Sequence, residues 1–115
     1  RCSMTGVQHI APLQRYLMVQ WYYPKGSGHL ASDETAWTFY EAPAPWGPWR
    51  EFGTRAFPVV GYYNPCIAAK FISPDGRRFP ILTNGDFKTH AKEGADCLYR
   101  LTRIPCTVAE DSTRA

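Results

Sequence analysis

The decapeptide Y-E-A-P-A-P-W-G-P-W, residues 40 to 49, holds three prolines, a glycine and two tryptophans. Proline lacks an amide donor and its ring clashes inside a helix, so this segment is neither a helix nor a central strand. An ordinary surface loop has no use for two indoles. Directly before it runs Thr35-Ala-Trp-Thr-Phe-Tyr40, whose aromatic and β-branched residues read as a strand. The chain must therefore carry a strand into an abrupt, aromatic-rich corner. That demand points to an all-β fold.

Composition agrees. The chain has 115 residues, enough for one small domain or a piece of a larger one. Its 15% aromatic content, ten prolines and nine glycines suit many short strands joined by turns. Hydrophobic residues make up 44%, enough for a core. The net charge of +3 is modest, and the thirteen Lys and Arg residues form no run, which argues against a nucleic-acid groove. No apolar stretch approaches the roughly 18 residues that span a bilayer. The chain begins at Arg1 without an apolar leader and reads as a processed or excised segment. No cofactor motif is found.

Cys2, Cys66, Cys97 and Cys106 form no C-x-x-C pair, which disfavours a zinc ribbon or a thioredoxin-type site. Two readings stand side by side: three alternative disulfide pairings in an oxidising compartment, or four buried small hydrophobes. No local pattern supports a catalytic pair between a cysteine and His9, His29 or His90.

Strands are expected at Gly6–Leu13, ended by Pro12, and at Tyr16–Tyr23, Ala36–Glu41 and Trp49–Phe52. The series restarts at Tyr62–Ile72 and continues with Arg78–Thr83 and Cys97–Arg103. Gly26–Glu34 reads as a loop. Ser73-Pro-Asp-Gly76 reads as a turn, in which proline presets the first corner and glycine accepts positive φ. A short helical turn is expected only near Thr89–Gly94.

The strands also repeat. "HIAPLQRYLMVQW" matches "YYNPCIAAKFISPDGRRFPILTN" in outline: an apolar strand with a proline, a turn, then an aromatic-led strand. His9 then falls opposite Tyr63 and Tyr16 opposite Phe79, with Tyr40 opposite Tyr99 further on. A loose period of roughly sixty residues, with three or four strands per unit, is expected of propeller blades. Two sheets of one sandwich are the alternative. The units run over about 6–57 and 58–108, with a tail at 109–115. In a blade, Pro43, Pro45, Gly47 and Pro48 would end pairing at the turn into the outer strand, and Trp46 and Trp49 would cap the seam between blades.

"FYEAPAPWGPW", the Asn64-Pro65 pair after Tyr62-Tyr63, "FISPDGRRFPILTNGDF" and "RYLMVQWYYP" together resemble the C-terminal part of a family of five-bladed β-propellers. That family is usually described as a domain of unknown function, and it is similar in architecture to glycoside hydrolases acting on arabinans, xylans and related polysaccharides. The resemblance spans about Gly6 to Cys106. It implies that this chain supplies about two of five blades, with Ser73–Asp86 forming the last inner strands. It also implies an extracellular, carbohydrate-associated module. In such hydrolases most catalytic carboxylates lie on earlier blades, which this chain does not carry. The first unit also has Ile10-Ala11 where the second has Asn64-Pro65, so a channel-facing polar group is missing.

Glycoside hydrolysis needs two carboxylates flanking the sugar bond, about 5–10 Å apart. Among Asp33, Glu41, Asp75 and Asp86, Asp75 reads as a turn residue and Glu41 as an arginine partner. Asp86, at a strand end, is the catalytic candidate. His9, Tyr63 and Asn64 are expected on inner strands facing a central channel, as sugar-binding residues; a histidine there suits a sugar hydroxyl, a central metal ion or simply a hydrogen-bonded core position. Trp21 and Tyr22 suit either stacking on a sugar ring or packing. Two functions follow: a sugar-binding module at the channel mouth with no catalysis by this chain alone, or a non-catalytic scaffold for protein contacts. Incomplete blades leave open sheet edges, so another chain or the missing blades are expected to complete them.

Overall fold

The structure, a computed structural model, describes residues 6–24, 34–59, 61–86 and 98–109. These residues form two antiparallel sheets. The first contains β1 (Gly6–Ile10), β2 (Arg15–Tyr22), β3 (Thr35–Ala42) and β4 (Arg50–Phe57), in that spatial order. The second contains β5 (Gly61–Ile67), β6 (Arg78–Asp86) and β7 (Leu98–Thr107), again in chain order. The described residues contain no α-helix and no closed sheet. The chain is all-β. The helical turn expected at 89–94 lies outside the described residues.

Each strand run differs from its sequence expectation at the ends, for local reasons. The apolar run from Gly6 stops pairing at Ile10, and Ala11–Leu13 forms a 3₁₀ turn with Pro12 in its first positions. Proline has no donor to give a ladder but starts a helical turn well. The run from Tyr62 likewise stops at Ile67 and passes into a 3₁₀ turn at Ala69–Phe71. Strands β4, β6 and β7 run longer than expected, to Phe57, Asp86 and Thr107. Cross-strand partners carry pairing past the point where propensity fades.

Three bulges set the register. Phe39 pairs with Gly53 but Tyr40 with Glu51, so Phe52 is an extra residue on β4. Tyr63 pairs with Asn84 and Cys66 with Leu82, which leaves an extra residue in the Asn64-Pro65 stretch of β5. Asn64 takes φ +52 there, and Pro65 has no amide to leave unpaired. The Thr83 hydroxyl fills the gap by donating to the Tyr63 carbonyl at 2.9 Å. A third shift lies between Asn84 and Asp86, around Gly85 at φ +81.

The sheets meet face to face, with β5 against β1 and β2. Ile10, Leu17, Val19 and Trp37 from one sheet pack with Ile67, Phe79 and Ile81 from the other. Trp37 is 0% exposed, and its indole Nε1 donates to the Tyr62 carbonyl at 2.7 Å. The buried Thr35 hydroxyl donates to the Val59 carbonyl at 2.7 Å and accepts from the Gly61 amide at 3.1 Å. One side chain of β3 thus holds both sides of the connection between the sheets.

The seam expected from the proline-rich corner is not made by its first tryptophan. Trp46 is 84% exposed, so it caps nothing among the described residues. The corner closes on itself instead: the Gly47 amide donates to the Ala44 carbonyl at 2.9 Å, and Trp49 lies against Gly47. The buried indole is Trp37, within the strand. Cys66 and Cys106 are free thiols, while Cys2 and Cys97 lie outside the described residues.

Candidate functional site

Strand alternation sorts the candidate residues between the two faces of the four-stranded sheet. Trp21 pairs with Trp37 and so lies on the face turned toward the second sheet. Its ring sits 5.5 Å from that of Tyr63, which brings two of the expected sugar-binding residues together. His9 pairs with Tyr16 on the opposite face, with ring centroids 4.6 Å apart. It is exposed and is not a core histidine. Asn64 is exposed at the β5 bulge. Asp86 ends β6 opposite Gly61 and Leu98, and its side chain lies outside the described residues, as does Asp33. His9 and the Trp21–Tyr63 pair therefore occupy different faces.

The other carboxylates have structural partners. Glu41 accepts from Arg15 Nε at 3.4 Å and lies 3.2 Å from an Arg50 guanidinium nitrogen. Asp75 accepts from the Ser73 hydroxyl and, at 3.0 Å, from the Arg77 amide. The Ser73 hydrogen bond, then the Arg77 amide, hold the Asp75 carboxyl below its usual range. Asp75 closes its turn, as the Ser-Pro-Asp-Gly pattern implies: the Gly76 amide donates to the Ser73 carbonyl at 2.8 Å.

The outer face of the four-stranded sheet carries the most coherent polar and aromatic grouping. Register places Met18 beside Tyr40 beside Glu51, Gln20 beside Thr38 beside Thr54, and Tyr22 beside Ala36. Gln20, Tyr22, Thr38, Tyr40 and Glu51 line a shallow pocket of about 260 Å³, touched also by Trp21, whose ring turns to the other face. Thr38 is small and buried and forms the floor between the two tyrosines. Glu51 accepts from the Thr54 hydroxyl at 3.2 Å, which orients its carboxylate at the rim.

This arrangement offers two ring faces, a hydroxyl, an amide and a carboxylate around one hollow. That combination stacks on an apolar ring face and hydrogen-bonds its equatorial groups. Of the sequence-derived candidates, Tyr22 belongs to this face, while Trp21 borders the pocket and turns its ring toward Tyr63. Gln20, Thr38, Tyr40 and Glu51 were not singled out as binding residues. The available signal was the period-two run Ala36, Thr38, Tyr40 along β3. Its partners on β4 depend on the Phe52 bulge, which no local pattern announces.

No group of His, Cys, Asp and Glu among the described residues is placed to hold a metal ion. No helix among them is long and apolar enough to cross a membrane. Set against protein-family models, curated proteins and solved structures, the chain matches none of them.

Proposed function

We propose that this chain is a carbohydrate-associated module made of two propeller-type blades, similar to the C-terminal blades of the glycoside-hydrolase-like five-bladed family, that binds sugar outside the cell and does not cleave it. The binding site assigned here is the outer-face pocket rather than the mouth of a channel. The observation that carries the reading is the pair Tyr22 and Tyr40 flanking the Thr38 floor with Glu51 and Gln20 at the rim. Two observations support the blade reading. Both sheets run in simple chain order, and the first strands of each, β1 and β5, lie together. The pocket holds a single carboxylate, Glu51, and the nearby Glu41 belongs to the opposite face of the sheet in a pair with two arginines. Hydrolysis asks for two carboxylates at one sugar bond.

The test is titration with arabinan, xylan and galactan oligosaccharides, together with an assay for released sugar. Binding without turnover is expected, and Tyr22→Ala or Tyr40→Ala should each weaken it about tenfold, the upper end for one stacking contact. Binding unchanged in both variants, or no binding to any of the three, overturns the reading.

A scaffold for protein contacts is the second reading, supported by the open edges: β4 closes one sheet and β7 the other with no further strand among the described residues. Open edges invite another strand or sheet. Under this reading the chain self-associates or binds a partner segment, and a monomer at high concentration in light scattering that also captures no partner segment removes it.

A further inference from the structure

The two sheets that meet at β5 part again toward β4 and β7, where they border a cleft of about 580 Å³. That volume falls within the range of small-molecule sites. Phe39 and Phe57 supply one wall, and Ile104 and Val108 the other, over the buried Trp37 and Phe79. The slot is mostly apolar, with Thr54 and Thr107 also in its lining. One long cation stands in it. Arg55 is the register partner of Trp37, so it projects from the same face toward the cleft, and it is exposed. It forms no salt bridge among the described residues. Its charge reaches the wall opposite, where it partly offsets the burial that pushes the Cys106 thiol up.

An apolar slot with a single cation at its mouth selects on two properties at once: hydrocarbon for the walls, and negative charge at one end. A flat polar ligand would desolvate its hydroxyls against Phe57 and Ile104 without return. We propose that this cleft binds a single-chain amphiphile with an anionic head group, its hydrocarbon tail lying between the sheets and its carboxylate on Arg55.

The experiment is titration calorimetry of the full chain with decanoate, dodecanoate, dodecanol and dodecyltrimethylammonium, each below its micellar concentration or, for dodecanol, below its solubility limit. Tryptophan fluorescence serves as a second readout, since the buried Trp37 lies directly beneath the cleft. One saturable site is expected. Each added methylene should tighten binding by up to roughly fourfold. Dodecanoate should bind about fivefold tighter than dodecanol, as a partly exposed ion pair allows. Arg55→Gln should erase that preference and leave dodecanol binding unchanged. Val108→Trp, which fills the slot, should weaken every ligand, while Tyr22→Ala on the outer face should weaken none. Equal affinity for anionic, neutral and cationic heads, a preference that survives Arg55→Gln, or absence of saturation overturns the proposal.

Discussion

The two β-hairpins that open the sheets, β1–β2 and β5–β6, share one plan and differ in their corners. In each, an apolar strand ends in isoleucine, Ile10 or Ile67, and passes into a 3₁₀ turn. In the first hairpin the return is immediate: Gln14 takes φ +52 and β2 starts at Arg15. In the second, the Ser73–Gly76 turn is inserted before β6 starts at Arg78. The insertion does more than lengthen a loop. A Cβ on Gly76 would lie 2.9 Å from Ile10 Cγ2, 3.1 Å from Pro12 Cβ and 3.2 Å from Leu13 Cγ, so this turn is seated on the corner of the first hairpin. One hairpin carries the compact corner and the other carries the clamp that covers it. A repeated plan need not mean repeated roles.

The comparison breaks most severely if the indole that ties the sheets is removed. Trp37→Ala should cost about 3–5 kcal/mol in urea unfolding, because it empties the core and leaves the Tyr62 carbonyl without its donor. The clamp itself is tested by a pair of glycines. Gly76→Ala meets Ile10 at 2.9 Å and puts a side chain at φ +77, so a loss of about 2–4 kcal/mol is expected. Gly53→Ala, with nothing within 4 Å, should be neutral or slightly stabilising. Equal costs for the two would show that the corner-to-corner contact contributes nothing.

Thr35→Val probes the connection between the hairpin units. It keeps the volume but removes the partner of both the Val59 carbonyl and the Gly61 amide, with an expected loss of about 1–3 kcal/mol. The smallest effect concerns the acid response of the clamp. Asp75 has a lowered carboxyl pKa in the folded chain, so it contributes stability that is complete above the ordinary value of 3.8 and fades as pH falls through the lowered one. The melting temperature of Asp75→Asn should lie slightly below that of the parent at pH 7, and the gap should close toward pH 2. A gap that persists at pH 2 would assign the turn's stability to groups other than this carboxylate.

Which features were legible depended on how far apart their causes lie in the chain. Ser73-Pro-Asp-Gly76 acts within four residues, and both its glycine conformation and the structural role of Asp75 could be read directly. Asn64-Pro65 inside an apolar run marks a break in pairing by the same kind of local rule, although its form as a bulge depends on Thr83 across the sheet. Trp46 misled because an indole beside prolines says nothing of what stands opposite it. It is exposed, while Trp37, unremarkable in an ordinary strand pattern, is the centre of the core. The aligned pair His9 and Tyr63 have different neighbours: strand alternation turns His9 outward against Tyr16, while Tyr63 lies against Trp21.

By itself, the sequence determined the all-β class, the approximate places of seven strands, the corner after Tyr40 and the closed Ser73–Gly76 turn. Proline geometry, glycine freedom and side-chain alternation act over a few residues, and no tertiary context was needed to apply them. Only the tertiary structure decided which face of each strand is covered, that Gly76 lies on the Ile10–Leu13 corner, and that Tyr22, Thr38, Tyr40 and Glu51 gather around one hollow. Those outcomes rest on register, and register here turns on a single extra residue, Phe52, whose insertion places Glu51 beside Tyr40. A shift of one position on β4 would reverse the face that every side chain beyond it presents, which is why pairing between distant strands outweighed local pattern in building the site.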